Sequence, residues 1–355
     1  MSSKTRSKKE ESPEPPPLIP SLPEDIIINI LARVERCYYP KLSLVSKRFR
    51  SLVTSHEIYE RRSSLGCTEH SLYVVLYNRE TGKGELHILR RNANGSHRLV
   101  LIPGLPDMPA HGSFVAVGSR MYVFGRLNSV ISIDCRSHTV HLLPSMNVSM
   151  SDPFADIIDG KIYVTGYCNN TMKMVMTVFN TETQMWEPKK TMPETMGGLN
   201  MWPDGCVVMA GKMYTRDNIN SFVFGYDPKE SKWEMDNMLN MFRWRDACVV
   251  DDVLYYYDWG GKVRAYDPKE SSWVVVNGLE KLVAEARFSD RFYTGSYSGK
   301  LALFFWNLHG TRVIRCAEIS LERRQGKEIW GKVEWCDDVL LGGRFKVMKT
   351  LDVIV

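Results

Sequence analysis

Hydrophobic positions change period twice along this chain. Residues 1–20 show no apolar periodicity: Lys4, Arg6, Lys8 and Lys9 give way to Glu10, Glu11 and Glu14, interleaved with Pro13, Pro15, Pro16, Pro17 and Pro20. Such a segment buries no apolar surface and is expected to be a solvated, disordered tail. Between residues 21 and 62 the spacing becomes helical. Ile26, Ile27, Ile30, Leu31 and Val34 give one broad apolar face. Ser21 is expected to cap that helix, with Glu24 three positions on completing a capping box. Pro40 punctuates, and Leu42, Leu44, Val45, Phe49 and Leu52 form a second amphipathic set opposite Lys47, Arg48 and Arg50. A unit this small buries too little surface to stand without something to pack against.

From Ser71 the period drops to two, in short runs separated by turn residues. The segments 117–123, 158–164, 209–215 and 250–256 superpose as strand, tight turn, strand, and their tyrosines (Tyr122, Tyr163, Tyr214, Tyr255) lie 41, 51 and 41 residues apart. Downstream of each comes a second recurring unit. Asn180, Asp227 and Asp267 each precede a tryptophan by six residues (Trp186, Trp233, Trp273), while Asp134 and Val140 keep the spacing without the ring. Four strands in roughly 40–50 residues is the period of a β-propeller blade. Weaker units flank these: runs at 72–77, 84–91 and 98–102 at one end, and at 301–306, 313–321 and 329–335 at the other. Residues 350–355 are one strand left over, expected to pair with the run at 72–77 and so remove two open edges. The expected ring has six blades.

Composition narrows the class without deciding it. The chain is 44% hydrophobic and 25% charged, with 46 basic against 41 acidic residues. A net charge of +5, dispersed, gives no case for nucleic acid or a membrane surface as partner. The first residues lead into no apolar stretch, so a secretory leader is not expected. Eight cysteines at 37, 67, 135, 168, 206, 248, 316 and 336 contain no C-x-x-C, which points to reduced, mostly buried thiols in the cytoplasm or nucleus.

Taken together, Leu22-Pro23-Glu24-Asp25-Ile26 through Ile30-Leu31, then Leu42-x-x-Val45-Ser46-Lys47-x-Phe49-x-x-Leu52, resembles an F-box. The region after it resembles the kelch-repeat propeller of plant-type F-box/kelch proteins, down to Cys316–Arg324 and Trp330-Gly331-Lys332-Val333-Glu334-Trp335. The glycine doublets of kelch repeats are reduced here to Gly125-Arg126, Gly166-Tyr167, Asp217-Asn218 and a displaced Gly260-Gly261. The resemblance implies a mainly β protein with a small N-terminal α unit. Its parts would be a tail (1–20), an F-box (21–66) and a six-bladed propeller (67–355) closed by the C-terminal strand. It implies a non-catalytic substrate-recognition subunit of a Skp–cullin–F-box ubiquitin ligase, with no cofactor. A Skp-type adaptor would sit on Leu22, Pro23, Ile26, Ile30, Leu31, Val34, Leu42, Val45, Ser46, Phe49 and Leu52, and an unknown protein substrate on the propeller.

Two rivals remain at this stage: a propeller enzyme, such as a carbohydrate oxidase, and a propeller scaffold outside any ligase. No G-x-S-x-G, H-E-x-x-H or phosphate loop occurs. Of the histidines only His138 and His141 are close, and an odd separation on a strand points them to opposite faces. No catalytic or metal-ligating residue is therefore expected, and Asp251-Asp252 and Asp337-Asp338 read as turns. Large residues outside the repeat register are better candidates for a binding surface. Tyr167, Trp202, Arg243, Trp244, Arg245 and Trp259 fall after second strands or between blades, and both connection types emerge at one end of a propeller. Trp, Tyr and Arg are the types enriched in protein-binding hot spots.

Overall fold

A computed structural model describes residues 22–92, 94–126, 128–168, 171, 173–192, 203–217, 222–286, 289, 291–307 and 312–355. The expected tail, Ser21 and Trp202 lie outside the described residues. The chain divides into two compact units between Thr68 and Glu69.

Among its described residues the first unit holds four α-helices: α1 (Glu24–Ala32), α2 (Tyr39–Leu42), α3 (Lys47–Thr54) and α4 (His56–Ser64). The start of α1 corrects the expected capping box. Pro23, not Ser21, is the N-cap, with no side-chain cap, its φ already preset for a helix start. Serines cap α3 and α4. Ser46 Oγ accepts from the Phe49 N–H at 3.1 Å, and Ser55 Oγ from the Ile58 N–H at 3.4 Å. Ile27, Ile28, Leu31, Leu52, Val53 and Ile58 close a core of their own. Through it runs the buried Arg62, whose Nη1 donates to the carbonyls of Ala32 and Val34 and to the Tyr39 hydroxyl at 3.1, 2.7 and 3.2 Å.

The second unit is a succession of antiparallel meanders in a propeller-like arrangement. The four predicted hairpins all form: Ser113–Val117 with Arg120–Phe124, Met150–Ile158 with Lys161–Cys168, Pro203–Met209 with Lys212–Asp217, and Cys248–Val250 with Val253–Tyr257. Tight hairpin turns need left-handed backbone, and the pairs Asp159-Gly160, Ala210-Gly211 and Asp251-Asp252 supply it at φ of 48° to 74°. The adjacent acids Asp251-Asp252 are thus a turn, as expected, whereas Asp337-Asp338 are not: they lie within the strand Ile329–Leu341, paired with Cys316 and Arg315.

The second recurring unit has an equally local cause. Asp134, Asn180, Asp227 and Asp267 each accept, through Oδ1, the backbone N–H two residues on. Four residues past each, His138, Gln184, Ser231 and Ser271 adopt positive φ and reverse the chain. The tryptophan then opens the returning strand; Trp186 and Trp273 donate their indole N–H to the carbonyls of Pro144 and Met238, tying down the loop that enters their own sheet. Their recurrence is a packing device.

The last strand, Phe345–Ile354, pairs antiparallel with the first, His70–Asn78, matching Tyr73 to Leu351 and Val74 to Thr350. Contacts between leading strands close on themselves: from Phe345–Ile354 to Ser113–Val117, Met150–Ile158, Pro203–Met209, Cys248–Val250, Phe292–Tyr297 and back. One departure is a parallel pairing of Val276-Asn277 with Ile329-Trp330, which joins two meanders into an eight-stranded sheet. A short helix, α5 (Glu280–Ala286), sits beside that junction and packs Leu282 and Ala286 into its core. No helix among the described residues is long and apolar enough to cross a membrane.

Candidate functional site

Two surfaces carry side chains that folding does not consume. On the helical unit, α1 turns Ile27, Ile28 and Leu31 inward and leaves Ile26 44% and Ile30 51% exposed. The turn between α2 and α3 exposes Leu44 and Val45. An ion pair from Arg48 to Glu24, at 3.1 Å, holds the first turn of α3 beside the first turn of α1. That brings Val45 to the end of the unit where Leu22 and Pro23, also exposed, begin it. Ile26, Ile30, Leu44 and Val45, left in water beside a complete core, have no folding role to explain them.

The expected adaptor-binding set divides by burial. Leu22, Pro23, Ile26, Ile30 and Val45 are on the surface. Leu31 and Leu52 are core residues, and Val34, Leu42 and Phe49 are half-buried against that same core. Ser46 is a helix cap. For Leu31 and Leu52 the expected surface role is therefore corrected: helical period marks apolar residues without saying which are covered from within. Leu44 and Tyr38, both exposed, were outside the expected set. Leu44 belongs to the second amphipathic set of the sequence but was given no adaptor role, whereas Tyr38 gave no periodic signal.

On the second unit, a pocket of about 680 Å³ opens where the connection before Cys248–Val250 meets the loop after Val253–Tyr257. Trp259 stands at its lip, 87% exposed, on a tight turn in which the Lys262 N–H donates to Asp258 Oδ1 at 2.9 Å. Arg264 Nε pairs with the other Asp258 oxygen. Tyr257 and Phe292 stack with ring centroids 3.5 Å apart and form a flat wall. Arg243, Arg245 and Lys346 are exposed around the opening.

The expected substrate-binding residues fare unequally. Arg243, Arg245 and Trp259 come together at this mouth, as expected from both connection types emerging at one end. Trp244 does not. It is 2% exposed, packed among Val207, Met209, Tyr214, Leu254 and Tyr256 of two neighbouring sheets, and its carbonyl accepts from Arg216 Nη1 at 2.6 Å. Tyr167 is not in a loop either. It lies on the strand Lys161–Cys168 opposite Ser151 and Met174, half-buried against the core between sheets. Trp202 lies outside the described residues. Sequence reasoning missed Tyr257, Phe292, Trp306 and Lys346, which line the same mouth. They belong to strands in repeat register or to the closing strand, so nothing local marks them.

A second cavity, about 320 Å³, is lined by the leading strands and holds Asp156, Cys206, Cys248, Tyr293 and Lys349. Burial pushes both thiols up to about 12, so they stay protonated near neutrality and are poor nucleophiles. Burial also raises the Asp156 carboxyl, with the Lys349 charge opposing it. Among the described residues no three His, Cys, Asp or Glu side chains converge as a metal site. His138 bonds the Tyr73 hydroxyl at 3.0 Å, while His141 reaches Thr139 instead.

Comparison with known proteins matches both units. Residues 19–61 fit the F-box domain, and residues 75–340, most of the chain, fit the domain described as FKB95, Kelch-repeats. The chain belongs to the F-box/kelch-repeat family. It is 45% identical to the F-box/kelch-repeat protein At4g38940 of Arabidopsis thaliana, over 99% of this chain and 98% of that one. It is 37% identical to the Arabidopsis thaliana F-box/kelch-repeat protein At4g39550, over 95% of this chain and 94% of the other. In this F-box/kelch-repeat chain the exposed aliphatic face therefore lies on the F-box and the basic aromatic mouth on the kelch unit.

Proposed function

We propose that this F-box/kelch-repeat chain is a substrate-recognition adaptor. Its F-box docks on a Skp-type adaptor of a cullin–RING ubiquitin ligase, and its kelch unit captures the protein to be ubiquitinated. It does no chemistry itself and uses no cofactor. The observation that carries this reading is the exposure of Ile26, Ile30, Leu44 and Val45 on a helical unit whose own core is already complete. An aliphatic helix face of this kind is suited to partner helices, a recurring mode of recognition. None of the eight cysteines forms a disulfide, which suits work in the cytoplasm or nucleus.

The capturing unit is, in this reading, a ring of six blades. The closed circuit of leading strands supports that count, as does the eight-stranded sheet, whose parallel junction spans two residue pairs between two outer strands. Cutting there leaves two four-stranded meanders like the others.

The docking test is Ile30→Asp with Leu44→Asp, measured by co-purification with a Skp-type adaptor. A charge at either position meets an apolar partner surface, and each hot-spot loss costs about 2 kcal/mol or more. Adaptor recovery is expected to fall at least roughly thirtyfold, since ~1.4 kcal/mol is a factor of ten, while circular dichroism stays unchanged. Undiminished recovery would remove the docking role.

A further inference from the structure

We infer that the kelch mouth is built for a carboxylate-rich peptide segment carrying an aromatic side chain; this rests on the proposal that the kelch unit captures a protein. The charge at the opening is unbalanced. Among the described residues, Arg243, Arg245, Arg291 and Lys346 line it against two carboxylates, Asp246 and Asp258. Asp258 is already engaged by Arg264 and by the Lys262 N–H. Arg243 and Lys346 are exposed and have no ion-pair partner among the described residues. Two unpaired cations facing one opening attract an anionic segment and reject a basic one, which sets specificity more than raw affinity. Guanidinium groups in addition match a carboxylate with two parallel donors.

The walls supply the second half of the recognition. The Tyr257–Phe292 stack presents a flat apolar surface, and Trp306, fixed by its indole N–H to the Phe345 carbonyl at 3.2 Å, stands on the strand side. Trp259 on the lip is a large ring held in water by a rigid turn, ready to cover whatever enters. An aromatic side chain laid against these rings gains area burial and ring–ring contact together. A smaller cavity of about 110 Å³ shares Arg245, Asp246 and Tyr293 with the mouth and is also lined by Lys349. At about 680 Å³ the mouth accommodates a few side chains, not a folded domain.

The test uses the full chain with its adaptor and three fluorescein-labelled peptides, read by anisotropy: Gly-Glu-Asp-Trp-Asp-Glu-Gly, its Gln/Asn counterpart, and a counterpart with phosphoserine at the acidic positions. The acidic peptide is expected to bind at least about tenfold tighter than the amide one, with the advantage shrinking as salt rises. Arg243→Glu and Lys346→Glu are each expected to erase about tenfold or more of that advantage, and Trp259→Ala to weaken all binding by a similar factor. Melting temperature and adaptor recovery should not move in any variant. Equal binding of the acidic and amide peptides overturns the inference. So does a phosphoserine peptide that binds while the acidic one does no better than its amide counterpart. Adaptor recovery is scored on the same preparations. An adaptor-bound chain that does not discriminate sinks this inference alone, and a discriminating chain that recovers no adaptor sinks the docking reading alone.

Discussion

Trp244 and Trp259 look alike in the sequence, each a large ring in a connection outside the repeat register, yet they do opposite work. The difference is geometric. Trp244 sits where two sheets converge and fills the space between Met209 and Tyr214 on one side and Leu254 and Tyr256 on the other. Trp259 follows a strand end and stands at the lip of the mouth, almost wholly in solvent. Neither neighbouring residues nor residue type encodes which sheets flank a loop, so this half of the candidate site was not legible. Its two arginine neighbours were legible from their place in a connection at that end of the blades, and both are exposed at the mouth. Replacing Trp244 by Ala is expected to cost about 3–5 kcal/mol through lost burial and a residual cavity. That corresponds to a fall in melting temperature on the order of 10 °C. Arg243→Ala, by contrast, should leave the melt within about 0.5 kcal/mol of the parent, as exposed substitutions do. A normal melt for Trp244→Ala would mean that the indole is not the packing residue described here.

Elements were more legible than residues, and for local reasons. The tight turns and the Asx-led turns before Trp186, Trp233 and Trp273 are each contained within a few residues, so their periodic recurrence exposed the meanders directly. The helical unit was legible as helices but not as a packed body. Nothing in the sequence pattern marks Arg62, yet its guanidinium is buried against the carbonyl of Ala32 at the end of α1, that of Val34 just beyond it, and the Tyr39 ring. It serves as a remote C-terminal cap, answering acceptors that α1 cannot satisfy within itself. Arg62→Ala leaves those acceptors buried without that donor, at a cost of about 1–3 kcal/mol for each group that water cannot reach. The expected outcome is rapid proteolysis within residues 22–68 and loss of adaptor co-purification, with the kelch unit still resistant. Equal protease resistance of variant and parent would show that the unit does not depend on this contact.

At the scale of the whole kelch unit, closure is the feature that sequence arithmetic reached most directly. One strand too many at one end and one too few at the other is a sum that local pattern alone supplies. The parallel junction beside α5 was not reachable in this way, because it depends on how far two outer strands run past their own meanders. Closure also concentrates stability in a few terminal residues. Leu351, Val353 and Val355 are buried with Tyr73, Val75 and Phe114 in one core, and Glu69 and Val355 exchange two backbone hydrogen bonds at 2.7 and 2.9 Å. Full burial of each such side chain is worth about 1.5–3 kcal/mol. Deleting residues 350–355 therefore removes several kcal/mol from a fold whose whole margin is about 5–15 kcal/mol. It also bares the inner edge of the strand His70–Asn78, which is then free to pair with another chain. The truncated protein is expected to melt far below the parent and to aggregate on warming, and the loss should be cooperative because the leading strands contact one another in a closed circuit. A soluble truncation with an unchanged melting temperature would mean that the ring holds together without its last strand, and the stabilising role assigned to that pairing would fall.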